Sequence, residues 1–144
     1  MFRKTTMTTA LSFALIACSS TGAPPGAHIP SATDLQLLTL PRDPDAVALT
    51  AQMTGTLAAE DGCVVVRTSD ATLRVALPHT FALWLHDGVA LGVRDTTNQQ
   101  RFRFGTRVVL GGGLVDVLPG YVDASASTRC PPPYFAISDV RPET

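Results

Sequence analysis

Residues 47–68 read VALTAQMTGTLAAEDGCVVVRT, and this stretch decides the fold. Over its first eleven positions apolar and polar residues alternate, as they do in a half-buried β-strand. Gly55 interrupts the apolar face and predicts a bend or bulge. Glu-Asp-Gly at 60–62 is typical of a hairpin turn, and the apolar run at 63–68 then predicts a second strand.

Similar short apolar runs follow along the chain and are separated by turn signals. They predict strands at 72–77, 81–85, 89–93, 101–104, 107–110, 114–118 and 134–138. Gly-Gly-Gly at 111–113 predicts a sharp bend at a barrel corner, because neither a Gly-Lys-Ser/Thr motif nor a helix follows to make a phosphate loop. No stretch has helical periodicity beyond two turns, so we expect an all-β domain, either a small closed or nearly closed barrel or a sandwich.

Composition limits both the size of the domain and its partners. The chain has 144 residues, of which 45% are hydrophobic and 16% charged, and it fits one domain. Its formal net charge is −1, from 11 Lys and Arg against 12 Asp and Glu. If residues 1–17 are cleaved as a signal peptide, as the next features indicate, Arg3 and Lys4 are lost. The remaining chain then has nine arginines and 12 acidic residues, which gives a formal net charge of −3. Nucleic-acid binding depends on a basic surface, so we expect no nucleic acid partner.

The N-terminus has the layout of a secretory signal peptide. Arg3 and Lys4 precede an apolar run of eight residues at 10–17. Eight helical residues rise only about 12 Å, whereas a hydrocarbon core is roughly 30 Å thick, so the run is too short for a permanent span. We therefore expect a cleaved signal peptide over 1–17.

Leu-Ile-Ala-Cys at 15–18 resembles the lipobox of bacterial lipoproteins. The resemblance implies that Cys18 becomes the mature N-terminus, that its thiol carries diacylglycerol, and that the protein is lipid-anchored in the cell envelope. Ser19 is similar to the residue found in lipoproteins sorted to the outer membrane of Gram-negative bacteria, which implies the periplasmic face of that membrane. An ordinary cleaved signal with a stray cysteine at its end is the alternative.

Composition also predicts the domain boundaries. We expect a signal peptide at 1–17, a lipidated cysteine and tether at 18–45, and a β-barrel domain at 46–144. Ser, Gly, Ala and Pro dominate 19–33, where no residue is charged, so this part cannot bury a core. The Leu-rich piece at 34–40 is apolar enough to dock on the domain as a short strand or helical turn.

Within 50–140 a series of glycine and cysteine motifs resembles small bacterial lipoproteins with an OB-like barrel. The matching motifs are Gly-Thr-Leu at 55–57, Asp-Gly-Cys at 61–63, Leu-Pro at 77–78, Gly-Thr-Arg-Val at 105–108, Gly-Gly-Gly at 111–113, and Cys130. The resemblance implies a small OB-like barrel of short antiparallel strands. These motifs are structural rather than catalytic, so the resemblance supports the fold and leaves the activity unaddressed.

Cys63 and Cys130 form an even pair once Cys18 carries lipid, and an oxidising envelope compartment favours a disulfide between them. The bond would close a loop of about 67 residues, for which the chain-entropy model gives roughly 4 kcal/mol. It would also pin the Pro- and Ser-rich stretch 119–133 to the second strand. A metal or redox site on the two thiolates is the alternative, but it lacks CxxC spacing and a neighbouring histidine.

His79, His86 and Asp87 are the residues that come nearest to a catalytic or zinc-binding set. Two histidines and an aspartate can hold zinc, but this spacing does not enforce convergence, and no GxSxG elbow accompanies them. We interpret the histidines as loop and turn residues and expect no metal, no cofactor and no enzymatic activity. An envelope hydrolase or enzyme accessory with a site at these residues is the alternative function.

Arg101-Phe102-Arg103-Phe104, with Arg107 nearby, is the sharpest surface feature of the sequence. Alternate side chains of a strand point to opposite faces, so the phenylalanines should face inward and the arginines outward. The arginines then form either a solvated stripe or a surface for anionic lipid headgroups, glycans or an acidic protein. The leading function is a membrane-tethered envelope lipoprotein that displays a small β-barrel domain for binding or assembly.

Overall fold

The computed structural model describes residues 31–42, 49–118 and 128–144. Nine strands form there: β1 Leu38–Leu40, β2 Ala51–Glu60, β3 Cys63–Arg67, β4 Thr72–Pro78, β5 Phe81–His86, β6 Val89–Asp95, β7 Arg101–Arg103, β8 Arg107–Val115 and β9 Tyr134–Pro142. The prediction of an all-β domain is confirmed. The predicted signal peptide and Cys18, the predicted site of lipidation, lie outside the described residues. No helix among the described residues is long and apolar enough to cross a membrane.

Five strands follow one another in a ring of hydrogen-bonded pairs. The order is β2–β3–β4–β9–β8, and β8 then pairs with β2. The pairing of β4 with β9 is parallel, and the other four pairings are antiparallel. Each strand of the ring therefore pairs with two other strands of the ring.

β2 changes its partner half-way along its length. Residues 51–56 pair with β8, and residues 56–60 pair with β3. At Gly55 a Cβ would lie 2.4 Å from Val66 Cγ1 and 2.6 Å from the Arg67 carbonyl oxygen. Only glycine leaves room for the adjacent strand, so the residue predicted to bend the strand lies where β2 passes from one partner to the other.

β8 is one strand where the sequence predicted two strands separated by glycines. Its pairing with β9 shifts register between Gly111 and Gly112, which identifies an irregularity within the strand and not a break. A Cβ on Gly112 would lie 2.1 Å from the Ala136 carbonyl oxygen. The predicted interruption was wrong because a glycine at this point allows the backbone of β9 to approach closely, and the ladder continues.

β5, β6 and β7 form a separate antiparallel sheet, which we term the small sheet, between β4 and β8 in the chain. The β5–β6 hairpin turns at Asp87 and Gly88, whose φ angles are +50° and +77°. Two residues with positive φ are what a tight hairpin turn requires, so the turn predicted there is confirmed. The inner face of the small sheet buries Phe81, Val93 and Phe102.

Every strand of the ring contributes to the main hydrophobic cluster. Its ring members include Leu57 of β2, Val64 and Val66 of β3, Val75 and Leu77 of β4, Val108 and Leu110 of β8, and Phe135 and Ile137 of β9. The small sheet adds Phe81, Ala90, Val93 and Phe102 to the same cluster. Packing therefore fixes the position of the small sheet on the ring.

A second hydrophobic cluster lies on the opposite faces of β3 and β4. Its buried members are Leu38, Ala58, Cys63, Val65, Ala76, Leu118, Cys130 and Tyr134. β1 covers part of this cluster and pairs in parallel with β4. Leu35 and Leu38 are 5% and 2% exposed, so the docking predicted for residues 34–40, within the predicted tether, is confirmed.

Candidate functional site

The outer face of the small sheet brings together one indole and three guanidinium groups. The register aligns Trp84, Gly92 and Arg103 in one row across the sheet, and Ala82, Arg94 and Arg101 in the next row. Residues that oppose one another in an antiparallel pair project from the same side of the sheet. We define Trp84, Arg94, Arg101 and Arg103 as the Trp–Arg face.

β7 alternates as the sequence predicted. Phe102 is 3% exposed and belongs to the main cluster, whereas Arg101 and Arg103 on either side of it are exposed. Phe104 follows the strand and packs, partly buried, against the same cluster. The prediction of inward phenylalanines and outward arginines is confirmed, and the buried Phe102 anchors the strand that carries the two arginines.

Trp84 and Arg101 contact each other across the width of the small sheet. Arg101 Cζ lies 5.1 Å from the centroid of the Trp84 ring, within the range of a cation–π interaction. Trp84 is on β5 and Arg101 on β7, so the two side chains meet above β6. Gly92 of β6 stands directly opposite Trp84, and a Cβ on this residue would lie 2.1 Å from the Phe102 carbonyl oxygen, so glycine is what allows β6 and β7 to approach this closely.

Within the described part of the chain, no carboxylate pairs with the positive charges of the Trp–Arg face. Among the described residues no salt bridge involves Arg94, Arg101 or Arg103. Arg94 and Arg101 directly oppose each other in the register, and like charges in this position destabilise a sheet. Arg94 Nε is also buried without a hydrogen-bond partner in the described part of the chain. The face therefore carries an excess of positive charge that an anion would balance.

The sequence grouped Arg107 with Arg101 and Arg103 in one stripe, either solvated or a partner surface, but Arg107 lies on a different sheet and pairs with Glu143. It begins β8 and donates to the Glu143 carboxylate, with Nη2 3.1 Å from Oε1. Hydrogen bonding to this carboxylate raises the pKa of Arg107 above its ordinary value and lowers the pKa of Glu143. The structure thus separates Arg107 from the unpaired arginines.

His79 and His86 lie at opposite ends of β5. His79 is in the turn before the strand and His86 is its last residue, and a six-residue strand extends roughly 17 Å. His86 Nε2 lies 3.3 Å from Asp87 Oδ2, and both side chains are largely exposed. The described residues include no group of three or more His, Cys, Asp or Glu able to hold a metal ion. The structure does not bring the three residues of the alternative hydrolase site together.

Cys63 and Cys130 form a disulfide, as predicted. Their Cα atoms are 5.8 Å apart, and both residues are at most 2% exposed within the second cluster. The bond attaches the segment before β9 to the first residue of β3. Because both sulfurs are in the bond, the alternative of two free thiolates does not apply. Residues 119–127 of the predicted loop lie outside the described residues.

Sequence reasoning did not identify Trp84 or Arg94 as site residues. Alternation along β5 indicates which residues share a face, and the turn at 87–88 indicates which residues of β5 and β6 oppose one another. The register shifts between Trp84 and Leu85, however, so counting from the turn pairs Trp84 with Leu91 instead of Gly92. The signal for the Trp–Arg face was present but displaced by one position.

No family model, curated protein or solved structure matches this chain. The resemblances to lipoproteins, which depend on the N-terminal residues and on the glycine and cysteine motifs, therefore stay predictions. The strongest chemical feature for a functional inference is the Trp–Arg face.

Proposed function

We propose that this protein is a lipid-anchored lipoprotein of the bacterial cell envelope whose all-β domain binds an anionic partner through the Trp–Arg face. The observation that carries the proposal is that three arginines share a face with an indole and have no carboxylate partner among the described residues. Tryptophan and arginine are enriched at binding hot spots. Adjacent like charges destabilise the free sheet, and a bound anion would remove that repulsion.

The N-terminal sequence supports lipid anchoring. Arg3, Lys4, the apolar run at 10–17 and Cys18 occur in the order of a lipoprotein signal. Each buried CH₂ of an acyl chain contributes about 0.8 kcal/mol, so two or more chains hold a domain at the membrane on cellular timescales. The disulfide supports an oxidising compartment, such as the outer-membrane periplasmic face implied by Ser19.

We infer that the ring of strands is an OB-like barrel. The pairing order β2–β3–β4–β9–β8 returns to β2, and the OB-fold is a five-stranded Greek-key barrel. The small sheet fills the connection between β4 and β8 and shares the main cluster with the ring. Such a barrel would hold the Trp–Arg face as a rigid surface, which lowers the entropy cost of binding.

We propose binding rather than catalysis because of the chemistry of the face. Guanidinium groups stay protonated and indoles do not titrate near neutral pH, so neither serves as a general base. His79 and His86, at the two ends of β5, are too far apart to act on one substrate atom. The Trp–Arg face is suited to holding an anion and not to breaking a bond in it.

Crosslinking in living cells tests whether the face has a partner. A photoreactive amino acid replaces Arg103, and a matched probe replaces Arg141, which is paired with Asp139 on β9. We expect an adduct from position 103 and only background from position 141. Equal labelling at both positions, or no labelling at either, would contradict the proposal.

Replacement of the lipidated cysteine tests the anchor. Cys18→Ala removes the thiol that would carry diacylglycerol, so we expect the protein to leave the membrane fraction or to stall as an unprocessed precursor. Ser19→Ala keeps the thiol and should stay membrane-bound. Normal cleavage together with unchanged membrane association of the Cys18→Ala variant would refute lipidation.

A further inference from the structure

We propose that the ligand of the Trp–Arg face is an acidic polysaccharide, a sugar polymer that bears carboxylate groups. This inference rests on the proposed function and specifies the class of anion. Its basis is the combination of closely spaced guanidinium groups with an indole on one open strand surface. Each part of that combination matches a different part of an acidic sugar.

The guanidinium groups match repeated carboxylates. Arginine forms two parallel hydrogen bonds with one carboxylate, whereas lysine acts as a point charge. Arg94 and Arg101 oppose each other on adjacent strands, where Cα atoms are about 5 Å apart. Arg103 lies two residues along β7 from Arg101, at about 7 Å. This spacing suits a ligand that repeats its negative charge over a short length, as a polymer of acidic sugars does.

Trp84 matches the uncharged part of each sugar. An indole offers a broad, flat apolar surface, and a sugar ring has flat C–H faces that pack against such a surface. Arg101 Cζ lies over the Trp84 ring, 5.1 Å from its centroid, so the guanidinium group covers that face of the indole in the free protein, and a sugar has to displace it in order to stack there. A sugar that stacks on the indole would place its carboxylate beside the arginines.

Two other anionic surfaces fit the same residues less well. Membrane-surface binding requires apolar side chains that project into the lipid, but Trp84 is half-buried and Leu85, 48% exposed, lies at the end of β5. An acidic peptide would pair with the arginines and leave the indole without a function. The polysaccharide uses both kinds of side chain.

The charge of the remaining surface favours attachment of a polyanion at this face. Without the three arginines of the face, the nine arginines of the chain after residue 17 become six, against 12 acids, or −6. A polyanion is therefore attracted by the Trp–Arg face and repelled by the rest of the protein as a whole.

Fluorescence of Trp84 measures binding directly, because this is the only tryptophan in the chain. The mature lipid-anchored protein, in nonionic detergent at low salt, is titrated with polygalacturonate or with neutral dextran. We expect a saturable change in emission with polygalacturonate, weakened by salt, and no change with dextran. Equal responses to both polymers, or no response to either, would overturn the proposal.

Paired variants test the role of the arginines. Arg101→Gln with Arg103→Gln removes two charges from the face, and Arg67→Gln with Arg141→Gln removes two charges elsewhere. We expect the face variant to bind polygalacturonate at least about tenfold more weakly, because each charge-assisted hydrogen bond lost is of that order. The control should bind within about twofold of wild type. Equal losses in both variants would contradict a specific face.

The role of the indole separates a sugar from a mere charge. Trp84→Leu, checked for folding by circular dichroism, should bind polygalacturonate about tenfold more weakly by affinity electrophoresis, a loss of the size measured for stacking contacts. Its binding to poly-L-glutamate should not change, and Leu85→Ala should affect neither ligand. If Trp84→Leu binds polygalacturonate like wild type, the polysaccharide proposal is wrong.

Competing ligands complete the test. Stronger binding of poly-L-glutamate, or of soluble dihexanoyl phosphatidylglycerol, than of polygalacturonate would overturn the proposal in favour of an acidic peptide or a lipid headgroup. If neither polygalacturonate nor poly-L-glutamate binds while the crosslinked adduct at position 103 persists, the assignment of the ligand as an acidic polysaccharide is wrong and the proposed binding function stands. If the crosslinked adduct at position 103 is absent as well, both the binding function and the polysaccharide ligand are refuted.

Discussion

The arginines on the ring and those on the small sheet follow opposite patterns, although both groups lie on strands. On the ring, Arg67 pairs with Glu60, Arg107 with Glu143 and Arg141 with Asp139. On the small sheet, Arg94, Arg101 and Arg103 have no carboxylate partner among the described residues. Arg74 of β4 is the exception on the ring, since its Nε is buried without a hydrogen bond there. An arginine's acidic neighbours thus decide whether it remains available to a ligand.

The difference has little to do with how stable each region is. A solvent-exposed ion pair usually contributes less than about 1 kcal/mol, so the pairs on the ring do not hold the ring together. Burial in the two clusters and the disulfide do. The comparison therefore predicts that changes to the ring scaffold affect stability, whereas changes to the Trp–Arg face affect binding.

The largest expected effect is the fall in melting temperature when the Cys63–Cys130 disulfide is removed. Cys63→Ser with Cys130→Ser removes a crosslink worth roughly 4 kcal/mol and should lower the melting temperature by more than about ten degrees. Trp84 emission at low temperature should not change, because the bond lies in the second cluster and the indole on the small sheet. Thermal unfolding followed by circular dichroism measures the first effect and fluorescence the second.

Peptide mapping of unreduced protein from the envelope should recover a peptide that links Cys63 to Cys130. Free thiols at both positions, or a melting temperature that does not change on reduction, would show that the disulfide does not stabilise this domain.

A smaller effect is expected from Gly92→Ala on the small sheet. The new Cβ would lie 2.1 Å from the Phe102 carbonyl oxygen, so β6 and β7 must separate. We expect a loss of about 2 kcal/mol, typical of overpacking, and a change in Trp84 emission because Gly92 pairs directly with Trp84. Gly111→Ala is the control, since its Cβ would meet nothing closer than 3.5 Å. Equal losses in both variants would show that the close approach at Gly92 is unimportant.

Reversing the charge of one arginine should change the melting temperature in opposite directions on the small sheet and on the ring. Arg103→Glu places a carboxylate beside Arg101, so the melting temperature should rise by a few degrees, about 0.5 kcal/mol, while polygalacturonate binding is lost. Arg107→Glu places a carboxylate beside Glu143 and should lower the melting temperature. If both variants shift it in the same direction, the contrast between paired and unpaired arginines does not describe this protein.

The smallest expected effect is on the acid limb of the stability profile, by which we mean the decrease in the free energy of unfolding as the pH falls below about 5. The hydrogen bond from Arg107 lowers the pKa of Glu143, which directly follows β9, and hydrogen bonds from Thr97 lower the pKa of Asp95 on the small sheet. A carboxyl group whose pKa falls on folding stabilises the fold above its unfolded pKa, and this is lost as the pH falls through the folded pKa. Stability should therefore decrease as the pH falls below the ordinary pKa of each carboxyl group, which is 4.5 for Glu143 and 3.8 for Asp95.

Salt distinguishes these two contributions. Glu143→Gln should flatten the acid limb at low salt and have less effect at high salt, because its partner is a charge. Asp95→Asn should flatten the limb at both salt concentrations, because Asp95 accepts hydrogen bonds from Thr97 Oγ1 at 2.7 Å and Thr97 N at 2.9 Å. Melting temperatures between pH 3 and 7 provide the measurement. Equal salt sensitivity of the two contributions would contradict the assigned causes.

Local pattern predicted much of the fold because the alternation and the turns are local. The period-two run predicted most of β2, and Asp87-Gly88 predicted the turn between β5 and β6. The pairing that completes the ring was not predicted, since it joins residues as distant as Arg74 and Tyr134. No local signal indicates which distant strands meet, because that depends on the packing of the whole core.

The candidate site was predicted in part for the same reason. Arg101 and Arg103 lie on one strand, so alternation alone placed them on an outer face. Trp84 and Arg94 join them only through the registers of two strand pairs, one of which is irregular beside Trp84. Arg107 was grouped with them by closeness in sequence, but the chain enters another sheet before reaching it.

The two pairings of β9 also determine when the domain can fold. β9 joins β4 on one side and β8 on the other, so the ring stays open until Tyr134–Pro142 is available. Pairings between distant segments are slow to form, because the loop between them must close first. We therefore expect a chain that emerges from a ribosome or a translocation pore to remain unfolded until β9 appears. Such late folding is compatible with export in an unfolded state.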